Sequence, residues 1–130
     1  MSNYKIEYIK YRVEKSAQAY EDAKILAANG RWNGAVNRLY YSCYYIVSAL
    51  ALNNDIVTQT HSGLKTQFNL NFIKTEMLSK DLGKLYSDLF DWRQKGDYGD
   101  MYDFDKETVE SLLMPVEEFL KTISSLIKFE

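Results

Sequence analysis

The segment RWNGAVNRLYYSCYYIVSALAL, Arg31 to Leu52, constrains the fold more than any other part of the chain. Trp32, Val36, Leu39, Cys43, Ile46 and Leu50 recur at alternating intervals of four and three, so at about 100° per residue they line one side of a helix. On nearly the opposite side Gly34, Arg38, Tyr41, Tyr45, Ser48 and Leu52 follow the same alternation, with Arg31 and Ser42 beside them. The first seam is ordinary core. The second is aromatic and polar, and between Asn33 and Leu52 the only formal charge is Arg38. A bundle helix with a free outer face carries charges there. This helix therefore calls for cover on both sides, from a second copy of the chain or from a ligand. The competing reading packs the tyrosines inside a monomer, with their hydroxyls bonded to backbone.

The remaining sequence supplies helices to pack against it. Six glycines and one proline among 130 residues, 46% of them hydrophobic, favour long helices over many short strands. The expectation is an all-α, up-and-down bundle of about five helices, forming one domain over 1–130. Ile9, Val13, Ala17, Tyr20, Lys24 and Ala27 predict the inner stripe of a first helix over 6–28, closed by Asn29 and Gly30. Such a short connection makes the first two helices antiparallel. Thr60 is the expected N-cap of a third helix over about 61–72, which places His61, the chain's sole histidine, in its first turn. Ser79 opens a fourth helix through Leu82, Leu85, Leu89 and Trp92 to Lys95, with Gly96 just beyond its end. Asp105 caps a fifth whose inward residues are Val109, Leu112, Leu113, Val116, Leu120, Ile123 and Ile127, with a kink or restart at Pro115.

Composition excludes several function classes. The lone cysteine, Cys43, lies on the core seam, so no disulfide forms within the chain and a reducing, cytoplasmic setting is expected. The N-terminus is charged throughout, and no run approaches the roughly 20 apolar residues needed to cross a bilayer. A net charge of −2 argues against a broad basic surface but leaves room for a local basic cleft. There are too few cysteines and histidines for zinc, no Glu-x-x-His pair for di-iron and no glycine-rich phosphate loop. Asp97, Asp100, Asp103 and Asp105 do not have the spacing of a calcium loop. No metal and no cofactor are expected. What remains is Arg38 among tyrosines.

The run AVNRLYYSCYYIVSALA, the later THSGLKTQF and the RQKGDYGD that follows a helix together resemble the HEPN family, in its small stand-alone prokaryotic, UPF0332-like branch. The resemblance implies a helical bundle that pairs into a homodimer, acts in toxin–antitoxin or defence systems, and has a nucleotidyltransferase-like protein as partner. Many family members cleave RNA without metal, using an arginine followed four to six residues later by a histidine. Arg38 matches the arginine. Cys43, Tyr44 and Tyr45 hold the permitted histidine positions, so the motif is broken, with Tyr45 at the longest offset. Arg93, Asp97 and Tyr98 match an arginine and an Asp-Tyr pair found near the family's cleft.

Metal-free RNA cleavage needs a base for the 2′-hydroxyl and a cation for the phosphate. Arg38 suits the second role by bidentate contact. A tyrosine suits the first poorly: with a reference pKa near 10 it is ionised to only about one part in a thousand at pH 7. Losing a general base costs about 10² to 10⁴ in rate. The sequence therefore predicts a catalytically degenerate module that binds RNA or a nucleotide through Arg38, Tyr41, Ser42, Tyr45, Arg93, Asp97 and Tyr98. Two alternatives stand beside it: an active ribonuclease using Arg38 with His61 or Tyr45, and a structural helical interaction protein.

Overall fold

The computed structural model describes residues 3–98 and 102–129, with the side chains of all of these except Asp97 and Tyr98. The elements in order are α1 (Asn3–Ala28), α2 (Trp32–Asn53), α3 (His61–Phe68), a π-helical turn (Asn69–Ile73), α4 (Lys80–Tyr98) and α5 (Lys106–Leu126). No strand occurs among the described residues, and the chain is the all-α bundle its periodicity implies.

Helix α1 stops where glycine permits a left-handed residue. Gly30 has φ +70°, its N–H donates to Ala27 O at 3.1 Å, and Arg31 N–H donates to Leu26 O at 2.9 Å. That pair of bonds satisfies the last carbonyls of α1 and turns the chain straight into α2. Asp55, at φ 59°, ends α2 in the same manner, with Ile56 N–H reaching back to Ala51 O at 2.8 Å. Asp55 gains an ion pair with Lys5 from α1.

Helix α2 is the hub. Twelve of its 22 residues are buried, and it packs against α1, α3, α4 and α5. The predicted seam of Val36, Leu39, Cys43, Ile46 and Leu50 is in the core, with Trp32 at its half-buried edge. Burial pushes the Cys43 thiol up from its ordinary range, so it stays protonated and inert. The α1 stripe differs from expectation. Ser16, Ala19, Ala23 and Ala27 face inward with Ile9 and Tyr20, whereas Ala17 and Lys24 are exposed. Small side chains win the inner position because they let α1 approach α2 closely. Ser16 Oγ donates to the Ser42 carbonyl at 2.7 Å across that contact.

One boundary also differs, and one of the two outcomes expected at Pro115 does not occur. Helix α4 runs through Gly96 to Tyr98, so Gly96 is a packing glycine and not a helix stop; a Cβ there would lie 3.0 Å from the Phe104 ring. Helix α5 continues past Pro115 without a restart, and Pro115 sits on its exposed side. Asn33, in the first turn of α2, clamps the segment before α5: its amide donates to Tyr102 O and accepts from Phe104 N–H, both at 2.8 Å. Among the described residues, no helix is long and apolar enough to cross a membrane.

Candidate functional site

The α3 N-terminus brings the histidine to the aromatic side of α2. Thr60 Oγ1 accepts from Gly63 N–H at 2.9 Å, the expected cap, and a Cβ on residue 63 would lie 2.8 Å from that oxygen. The cap fixes the first turn, where His61 stacks on Tyr44 at 4.3 Å with the planes 9° apart. Its Nδ1 lies 2.8 Å from the Tyr40 hydroxyl, and its edge meets the Tyr41 ring at 5.9 Å. Burial first, and the Arg93 charge second, hold the imidazole below its ordinary pKa. It is therefore neutral at pH 7.

Two guanidinium groups share the same aromatic floor. Arg38 stacks over Tyr41, 4.9 Å from the ring centre, and directs its Nε and Nη2 N–H groups to the Asn37 side-chain oxygen at 3.0 and 2.7 Å. Arg93, from α4, lies 4.8 Å from the Tyr40 ring centre and 5.8 Å from that of Tyr41, with a long 3.4 Å bond to the Tyr41 hydroxyl. It is only 9% exposed, and its Nε–H has no partner among the described residues. No described carboxylate lies within ion-pair distance of either arginine. Lys65, one turn beyond His61, adds a third cation over Phe90 at 4.2 Å, and Phe90 meets the edge of Tyr40.

Beneath them an aromatic column reaches the core. Tyr40 is parallel to Tyr86 at 6.1 Å, and Tyr86 packs on Phe68 and Phe119. Burial raises the pKa of both tyrosine hydroxyls above the ordinary range. The Tyr86 hydroxyl is close enough to perturb that of Tyr40, yet it makes no hydrogen bond of good geometry.

Arg38, Tyr41, Tyr45, His61 and Arg93 thus gather on one side of α2, with Tyr45 at the margin, 5.5 Å from Tyr44 and 6.1 Å from Tyr41. Ser42 does not belong with them. It is fully buried, and its hydroxyl donates to Leu39 O at 2.7 Å, because its position turns toward α1. The Asp97 and Tyr98 side chains lie outside the described residues. Arg93 lies in the C-terminal third of α4, over the Tyr40 and Tyr41 rings. Tyr40 and Tyr44 are the residues that sequence reasoning missed. The signal was present in the doubled YYSCYY, where Tyr40/Tyr44 and Tyr41/Tyr45 form two i, i+4 pairs on adjoining faces. Among the described residues, no group of three or more His, Cys, Asp or Glu could hold a metal ion.

A site with two guanidiniums that no described carboxylate pairs, a lysine, a neutral imidazole and tyrosine faces can bind a phosphodiester and stack a base. A family model described as the HEPN domain matches residues 9–126. A UPF0332 protein of Thermotoga maritima is 40% identical over 126 residues, covering 97% of this chain and 96% of that one. Two Methanocaldococcus jannaschii proteins, both named as candidate toxins, are 36% and 27% identical. They cover 88% and 94% of this chain, and 79% and 90% of their own lengths.

Proposed function

We propose, for a chain that belongs to the HEPN domain family, a toxin-like role in which a cleft around Arg38 and Arg93 binds the phosphodiester backbone of RNA. One observation carries this reading: Arg38 and Arg93 are held on the Tyr40 and Tyr41 rings with no described carboxylate to neutralise them. Arg93 is buried with no described carboxylate beside it; a charge held that way works against folding, so a fold that keeps it has a use for the field. Phosphate oxygens match guanidinium geometry, and the half-buried Tyr41, Tyr44 and Tyr45 offer ring faces to a base. Tyr45, in the place of the family histidine, supplies stacking surface and not a base.

The same face is where a second copy would sit. Arg38, Tyr41 and Tyr45 are only half-buried within one chain. Tyr4, Tyr8 and Tyr11 of α1 are 77%, 56% and 55% exposed, more aromatic surface than a monomer usually leaves in water. A homodimer through α1 and α2 would put two arginine clusters side by side. The neutralising partner would be the nucleotidyltransferase-like protein that family membership implies.

Fluorescence anisotropy with a labelled single-stranded RNA in EDTA tests the reading. Wild-type protein should bind, and Arg38→Ala should weaken binding at least tenfold with the melting temperature preserved. Equal affinity of the two would end the proposal.

A further inference from the structure

Resting on that reading of the site, we infer that Arg12 forms a second, separate phosphate subsite between α1, the C-terminal half of α2 and the α2–α3 loop, on the path of the strand held at Arg38 and Arg93. Helix α1 places Arg12 beside the buried Ile9 and Ser16, so its aliphatic stem is half-buried and its guanidinium reaches α2. There Nη1–H donates to the Ser48 carbonyl at 3.2 Å. Among the described residues that is its one hydrogen bond, and no described carboxylate pairs with it. The loop beside it carries a single acid, Asp55, which is paired with Lys5. Most of the Arg12 N–H donors are therefore left for solvent or a ligand.

The surroundings suit one anion. Arg12 lines a small cavity of about 90 Å³ with Ser48, Leu52, Val57, Thr58 and Leu64 among its other walls. Ser48 gives its hydroxyl proton to Tyr45 O at 2.8 Å, so the donors at the cavity are Arg12 and the Thr58 hydroxyl. Leu52, Val57 and Leu64 keep the other walls apolar, which strengthens the attraction of a guanidinium for an anion. Register ties this cavity to the cleft. Ser48 follows Arg38, Tyr41 and Tyr45 on one face of α2, and the helix rises about 15 Å from Arg38 to Ser48. Leu64, on the far wall, is one turn beyond His61. A strand with a phosphate on Arg38 and a base on Tyr45 thus meets Arg12 a few nucleotides on. A dinucleotide is too short to reach both.

The test compares the affinities of a dye-labelled dinucleotide and octanucleotide of RNA, by anisotropy in EDTA. Wild-type protein should bind the longer strand at least about tenfold more tightly, as one added charge-assisted contact provides. Arg12→Met should remove most of that gain and lower the salt slope for the octanucleotide by about 0.7, while the dinucleotide Kd stays within about twofold. Arg12→Lys should recover part of the gain. Thr58→Glu, which sets a carboxylate at the cavity rim on a loop, should act as Arg12→Met does, and it decides the matter if Arg12→Met fails to fold. Arg38→Ala should instead weaken both lengths. Unchanged octanucleotide affinity in the Arg12 and Thr58 variants, or an equal loss for both lengths, overturns the subsite and leaves the Arg38 reading intact. Failure of wild-type protein to bind either RNA overturns both.

Discussion

Replacing Arg93 with methionine separates what the residue does for the fold from what it does for a ligand. The guanidinium is 9% exposed, and its Nε–H is unpaired. Burying an ion costs several kcal/mol after relaxation. The Tyr40 and Tyr41 rings, at 4.8 and 5.8 Å, each return about 0.5–2 kcal/mol. The 3.4 Å bond to the Tyr41 hydroxyl adds about 1 kcal/mol at most. The two sides nearly cancel, with the remainder against the arginine. Methionine fills much of the same volume, carries no charge and favours aromatic neighbours. Arg93→Met should therefore unfold at an equal or higher free energy, by about 0–2 kcal/mol, seen in urea titration as a higher midpoint with the slope unchanged. RNA affinity should move the opposite way. A charge-assisted contact is worth about 1.5–3 kcal/mol, so Kd should rise by about ten- to a hundredfold. The slope of log K against log salt should shrink by about 0.7 for the lost phosphate contact. A variant that loses more than about 2 kcal/mol of stability and binds RNA as before would make Arg93 a structural residue and refute the reasoning.

Three further outcomes follow from single contacts. Tyr86→Phe removes a buried hydroxyl that has no hydrogen-bond partner, so it should be neutral or stabilising by up to about 2 kcal/mol; a clear loss in chemical denaturation would mean the hydroxyl is paired. Asn33→Ala deletes both bonds that hold Tyr102 and Phe104 and should cost about 1–3 kcal/mol, with hydrogen exchange rising first at residues 102–104. His61 has a folded-state pKa below its ordinary value, from burial and then from Arg93. The unfolded chain therefore binds more protons just below pH 6.5, and stability should fall as pH drops through that window. Above about pH 7 the curve should be flat. His61→Gln should remove this component, and parallel pH curves for the two proteins would contradict the assignment.

Where local chemistry decides an element, the sequence was sufficient. Thr60 and Asp105 cap α3 and α5 as their side chains predict, accepting from Gly63 and Thr108 N–H. The apolar seam of α2 needed only periodicity. Where a tertiary neighbour decides, it was not. Gly96 reads as a stop until the Phe104 ring is seen against it. The expected inner stripe of α1 runs through Ala17 and Lys24, yet close approach to α2 selects Ser16, Ala19 and Ala23. Phe119 and Tyr86 are fully buried, but neither was on the expected inner stripes. In both cases the aromatic column, a feature of four elements together, draws them in.

The site has the same division. Arg38 and Tyr41 share a helix face by spacing alone, and no tertiary fact was needed to pair them. The arrival of His61 depends on the α2–α3 connection, whose length sequence shows but whose path it does not. What sequence could have offered is the constraint that a cap followed by Gly63 pins the first turn of α3, because any side chain at 63 would strike Thr60 Oγ1 at 2.8 Å. A pinned first turn next to a tyrosine-rich face leaves the imidazole few places to go. Its lodging between Tyr44 and Tyr40 is then a consequence of local backbone chemistry as much as of stacking. It follows that Gly63→Ala should disturb His61 without touching it: the cap must shift, the 2.8 Å bond to Tyr40 must lengthen, and the His61 ring signals in NMR should move by more than those of Tyr45. Unmoved His61 resonances in that variant would mean that stacking alone holds the ring, and the cap would lose its part in building the site.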